Sequence, residues 1–95
     1  MRAVVDGTVV AESDDTIVVE GNHYFPPDSI KRELFTDGTI NTVCPWKGNA
    51  SYYTIEVGDQ RLENIAWYYP EPSEAASQIK DHVAFYTTGV EITSD

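Results

Sequence analysis

The stretch SYYTIEVGDQRLENIAWYYP, residues 51–70, decides the fold. Tyr53, Ile55 and Val57 alternate with Tyr52, Thr54 and Glu56, the two-residue period of a pleated strand. Gly58-Asp59 follows as a turn. A second run then sets Ile65, Trp67 and Tyr69 on one face and Ala66 and Tyr68 on the other. Pro70 and Pro72 lack the amide hydrogen a ladder needs, so this strand ends there. Two strands joined by a turn read as part of a mostly antiparallel β domain.

The same grammar extends outward. RAVV and TVVAE flank Asp6-Gly7, a pair that tolerates the positive backbone angles of a tight hairpin turn. ESDDT supplies the next turn, and TIVVE reads as a third strand rich in β-branched residues. GNHYFPPDSI reads as an irregular loop carrying His23, Tyr24 and Phe25, because two consecutive prolines cannot donate to a ladder. SIKRELF is a short strand or one helical turn, and Asp37-Gly38 predicts a hairpin turn into TINTVC. SEAASQIKDH is the one helix candidate, with Ser73 placed to cap it. VAFY and VEIT close the chain as strands. The expectation is a single mostly β domain over residues 1–95, with its core over about 2–93. Its form is a compact folded-over antiparallel sheet or a small barrel, with one short helix.

Composition narrows the function. A 41% hydrophobic share with 12% aromatics belongs to a folded domain rather than a disordered tail. Sixteen acidic residues against six basic ones give a net charge of −10, a field that repels nucleic acid and anionic membrane surfaces. The acids are spread along the chain, as in the solvated coat of a protein from salt-accumulating cells or in a merely acidic domain. One cysteine cannot form an internal disulfide, and no charged start leads into an apolar run. Together these lead to the expectation of a soluble cytoplasmic domain.

Three separated motifs carry a resemblance: Tyr24-Phe25-Pro26, the Cys44-Pro45-Trp46-Lys47-Gly48 core, and Trp67 to Pro72. With IVVEGNHYFPPDSI before the core and AWYYPEPSEAASQIKDHVAFY after it, the chain resembles the domain-of-unknown-function family number 427 over nearly its whole length. That resemblance implies a compact domain similar to the β-tent group of small folded-over sheets. A nucleotidyltransferase label is sometimes attached to the family. Here no glycine-rich phosphate loop precedes a helix, and Lys47-Gly48 reverses the order a phosphate-binding loop needs. No Asp-x-Asp pair stands where two metals would be held.

The candidate site centres on that core. Pro45 holds Cys44 in extended backbone, and a cation at Lys47 would favour its thiolate; the alternative is a cysteine that packs as a small hydrophobe. Lys47, one of three lysines, could receive a carboxylate or phosphate, or be an unemployed surface residue. Tyr24, Trp46, Tyr52, Trp67 and Tyr69 could wall an apolar pocket with hydroxyls at its edge, or simply fill a core. Glu71, fixed between two prolines, is either an acid or base beside that pocket or a solvated turn carboxylate; Arg32 and Glu33 divide the same way. His23, His82 and Cys44 lack metal-ligand spacing, so neither a metal nor any other cofactor is expected.

Three functions follow, in order. The first is a module binding a small planar or anionic ligand in an aromatic cleft around Lys47. The second is an enzyme in which Cys44 is a nucleophile or redox thiol, Lys47 activates it, and Glu71 or His23 moves protons. The third is a structural or protein-interaction domain. The charge itself is testable: screening the self-repulsion of a −10 chain should raise its melting temperature from low salt to molar potassium chloride. Calorimetry across a salt series reads this directly, and a flat response removes the salt-accumulating interpretation.

Overall fold

In the computed structural model, which describes residues 1–94, nine strands follow in order. They are β1 Arg2–Val5, β2 Thr8–Glu12, β3 Ile17–Val19, β4 Asn22–Tyr24, β5 Phe35–Cys44, β6 Gly48–Val57, β7 Gln60–Tyr68, β8 Val83–Phe85 and β9 Glu91–Thr93. All pairings between them are antiparallel and form three sheets, ordered β2-β1-β9, β3-β4 and β5-β6-β7-β8. The sheets stay open, so of the two expected forms the folded-over sheet is the one adopted and the barrel is not.

The β6–β7 hairpin forms the two inner strands of the four-stranded sheet. Its turn runs through Gly58 at φ 57°, a left-handed angle that costs glycine nothing. Alternation then sends neighbouring side chains to opposite layers. Tyr53 and Ile55 of β6, Ala66 and Tyr68 of β7, and Val83 and Phe85 of β8 join one apolar cluster, which β1 and β2 cover with Ala3, Val5, Val10 and Ala11. Ala50, Tyr52, Trp67, Tyr69 and Ala84 join a second cluster with Tyr24 of β4, Ala76 and Ile79. The four-stranded sheet is thus covered on both faces. No helix among the described residues is long and apolar enough to cross a membrane.

Four local expectations are corrected. The loop expected over GNHYFPPDSI begins as a strand: Glu20 and Gly21, at φ 53° and 82°, turn the chain so that β4 pairs with β3, and irregular structure starts only at the prolines. Asp37-Gly38 is not a turn but lies inside β5, where the ladder to β6 slips between Asp37 and Asn41. Ile65 does not share a face with Trp67 and Tyr69. A bulge at Asn64, at φ 53°, breaks the alternation and sends Ile65 into the first cluster. Finally, the helix candidate is a kinked 3₁₀ segment, Glu74–Ile79, with Ala76 at φ −117°. Ser73 does not cap it, because its hydroxyl donates to the Trp46 carbonyl instead. Two more single 3₁₀ turns, Pro27–Ser29 and Arg32–Leu34, bridge β4 and β5.

The slip in β5 has a steric origin. A Cβ on Gly38 would stand 2.4 Å from Asn64 Oδ1 and 2.7 Å from the Tyr52 carbonyl oxygen. The space saved lets Asn64 Oδ1 accept from the Thr39 amide at 2.9 Å and Asn64 Nδ2 donate to Thr39 Oγ1 at 3.0 Å. Gly38→Ala should therefore destabilise the fold by about 2 kcal/mol, an overpacking cost. Gly7→Ala faces open space and should cost only the left-handed angle, roughly 1 kcal/mol. Urea denaturation of the two variants checks this order, and equal losses would contradict it.

Candidate functional site

The turn joining β5 to β6 is Pro45-Trp46-Lys47, closed by the Cys44–Gly48 pair. Gly48 sits at φ 115°, and a Cβ there would stand 3.3 Å from the Glu71 carbonyl oxygen. Glycine therefore lets the proline-bounded segment after β7 press against the turn. Ser73 fastens the two together: its amide donates to the Lys47 carbonyl at 2.8 Å, and its hydroxyl to that of Trp46. The second and third sequence motifs are one structural unit.

This clamp carries Lys47 inward. It is 5% exposed and is the only charged side chain among the buried described residues. Its ammonium pairs with Glu20 from the β3–β4 turn and lies 5.2 Å from the centre of the Trp46 ring and 5.5 Å from that of Tyr69. Burial pulls the Lys47 pKa down, but the Glu20 hydrogen bond and the nearby Tyr24, Tyr69 and Cys44 groups more than offset it, leaving the pKa above its ordinary value. In return, the Lys47 hydrogen bond holds the Glu20 carboxyl below its usual range, against a weaker opposing effect of burial.

Beside Lys47 lies a cleft of about 390 Å³. Tyr52, Trp67, Tyr69 and Tyr86 supply its aromatic walls, and Asn22 and Thr87 its polar rim. Trp67 and Tyr86 meet at 4.6 Å between ring centres, while Tyr52 stacks on Tyr86 at 6.5 Å with a 9° interplanar angle. The hydroxyls of Tyr52 and Thr42 are 2.9 Å apart, and that of Tyr86 stands 3.5 Å from Tyr52. The Tyr86 pKa is pushed up to about 12, first by the Tyr52 hydroxyl and then by burial. Burial raises that of Tyr69 as well, against the pull of Lys47. Both phenols remain protonated donors at neutral pH.

Of the candidates read from sequence, Lys47, Tyr52, Trp67 and Tyr69 converge on this cleft. Tyr24 is fully buried behind it, its hydroxyl accepting from Trp67 Nε1 at 3.1 Å and so fixing that wall. Trp46 is 42% exposed and touches the site through Lys47. Cys44 is a free, half-buried thiol packed against the second cluster, and Glu71 is exposed; neither lines the cleft. Arg32 and Glu33 lie exposed in their 3₁₀ turn. His23 Nδ1 lies 3.1 Å from Thr16 Oγ1, and His82 Nδ1 donates to the Lys80 carbonyl at 2.9 Å. No three His, Cys, Asp or Glu side chains among the described residues are grouped to hold a metal ion.

The sequence profile of the family described as Domain of unknown function (DUF427) matches residues 1–95. The chain belongs to the DUF427 family. No curated protein matches it. Of the three motifs that carry the resemblance, Cys44 to Gly48 and Trp67 to Pro72 meet at the turn clamp, while Tyr24 joins the second cluster and Phe25 the first. Glu20, Asn22, Tyr86 and Thr87, none of them a candidate site residue in the sequence, also stand at that cleft or its cation.

The ion pair predicts an asymmetry. Lys47→Met keeps an apolar stem and leaves Glu20 in water, whereas Glu20→Gln strands a buried ammonium, so Glu20→Gln should lower the melting temperature more at neutral pH. A carboxyl with a lowered folded pKa stabilises above its unfolded value, and an amine with a raised one stabilises below it. The pair therefore contributes fully between about 4.5 and 10.5, and is lost as pH falls through the folded value of Glu20 or rises through that of Lys47. Melting curves across pH check this: the gap between the parent and Lys47→Met should close once Glu20 is protonated. A gap unchanged at acid pH would show that the pair contributes nothing.

Proposed function

We propose that this DUF427 domain binds a small planar molecule carrying hydrogen-bond acceptors in the cleft between Trp67, Tyr69, Tyr52 and Tyr86. One observation carries the reading: an ammonium almost sealed from bulk water lines an aromatic-walled cleft of about 390 Å³. Holding a cation out of water is costly even when it is paired, as Lys47 is with Glu20, and this one also lines the cleft. The rings offer stacking faces, while Lys47, Asn22 and the protonated phenols offer donors that would orient the ligand's oxygens. Cys44 and Glu71 stand outside the lining, and the reading gives them no chemistry.

Titration with benzamide, a planar ring carrying a carbonyl acceptor, followed by nuclear magnetic resonance, tests the proposal. The Trp67 indole signal should move with the Tyr86 ring signals. Tyr86→Ala should weaken binding about tenfold, the worth of one stacking face, while leaving the fold intact because Tyr86 is 45% exposed. Signals that stay still at millimolar ligand, or that move only elsewhere on the surface, would defeat it.

A further inference from the structure

We propose that Glu20 occupies Lys47 in place of a ligand carboxylate, so that the cleft takes planar carboxylic acids, which bind by displacing Glu20 from the ammonium. This rests on the binding reading above and narrows its ligand class.

The pair is unequal in a way a permanent structural bridge need not be. The Lys47 side chain is 7% exposed and that of Glu20 is 53% exposed. An ammonium held out of water requires an anionic partner. Among the described residues, Glu20 is the one carboxylate within ion-pair reach. Glu20 can return to water at small desolvation cost, whereas Lys47 is fixed by the turn clamp and cannot follow it. The site is therefore built to keep some carboxylate on Lys47, with weak commitment to which one.

Placement favours the exchange. Glu20 sits at the tip of the β3–β4 hairpin, outside the lining of the cleft, while Asn22, two residues on, lines it. An acid whose ring lies in the cleft, against the exposed Tyr86 and its neighbour Trp67, can bring its carboxylate to Lys47, which lines the same cleft. An ammonium has three N–H donors, and one is engaged by Glu20. The exchange also fits the charge of the whole chain. At net −10 the surface field opposes anions in general. Only a ligand that gains the Lys47 contact and ring stacking together overcomes it, so selectivity falls on acids that are also flat.

Benzoate and its neutral counterpart benzamide separate the alternatives, read from the Trp67 indole signal at neutral pH. On the unmodified chain benzoate should bind about tenfold more tightly than benzamide. Glu20→Gln, which removes the internal competitor, should strengthen benzoate binding by roughly a further tenfold and leave benzamide within about twofold. Glu74→Gln, an exposed charge change beside the same clamp, should leave benzoate unchanged. Equal affinity for benzoate and benzamide, or an equal gain from Glu74→Gln, overturns the exchange while the cleft reading stands. Silence from both compounds overturns both. Should Glu20→Gln fail to fold, the comparison of the two compounds on the unmodified chain decides alone.

Discussion

The structure depends on one constraint: the four-stranded sheet must be apolar on both faces. An antiparallel sheet usually leaves one face to water and so shows clean alternation of apolar and polar residues. Here Tyr52, Tyr53, Thr54 and Ile55 are all buried in succession. One polar member of that run, Thr54, is satisfied by accepting the Asn64 amide at 3.2 Å. The bulge that shifts Ile65 out of phase also supplies this donor. The same bulge sets Asn64 against Thr39 and so imposes glycine at position 38. Covering both faces with only 95 residues forces these economies, since the covering layers are short.

The cleft lies where cover on the second face runs out. The β3–β4 hairpin and the Glu74–Ile79 segment bury Tyr24, Ala76 and Ile79 completely. They leave Trp67 half-buried and Tyr86 substantially exposed. Large rings therefore meet solvent beside a buried cation, and the rings are held rather than loose. Tyr24 fixes Trp67 through its indole, Trp67 meets Tyr86, and Tyr52 is held by Thr42. Each wall of the cleft has its back against the core. Such support is what a binding site needs to avoid spending affinity on ordering its own side chains.

How much of this the sequence discloses depends on the range of the signal. The β6–β7 hairpin, the Asp6-Gly7 turn and the closing strands are set by local periodicity and turn chemistry, and these were legible. Asp37-Gly38 misleads because a glycine serving a close approach across the sheet looks the same in sequence as one serving a turn. Glu20-Gly21 escapes for the reverse reason. Its positive angles make a tight turn, but Pro26-Pro27 nearby argue for a loop, and their effect begins two residues after β4 ends. Ser73 has the residue type of a cap, yet the Trp46 carbonyl is the partner available to it. Lys47, Trp67 and Tyr69, which the motifs carry, line the cleft. Tyr86 and Glu20 reach the site only through folding across the sheet, which no local pattern encodes.

Those two residues also change the chemistry that the motifs suggest. Read alone, Cys-Pro-Trp-Lys-Gly sets a thiol three residues from a cation, an arrangement suited to activating a nucleophile. In the fold, the Lys47 ammonium pairs with Glu20 and lies near the rings of Trp46 and Tyr69, while Cys44, close enough to act on that charge, packs beside the second cluster outside the cleft lining. The motif's conspicuous residues then divide by task. Pro45 and Gly48 shape the turn, Gly48 and Ser73 let the clamp close, and Lys47 is the group presented. A cation clamped in place beside supported rings, with its counterion tethered from an exposed turn, is the arrangement on which the proposed recognition of charge and flatness together rests.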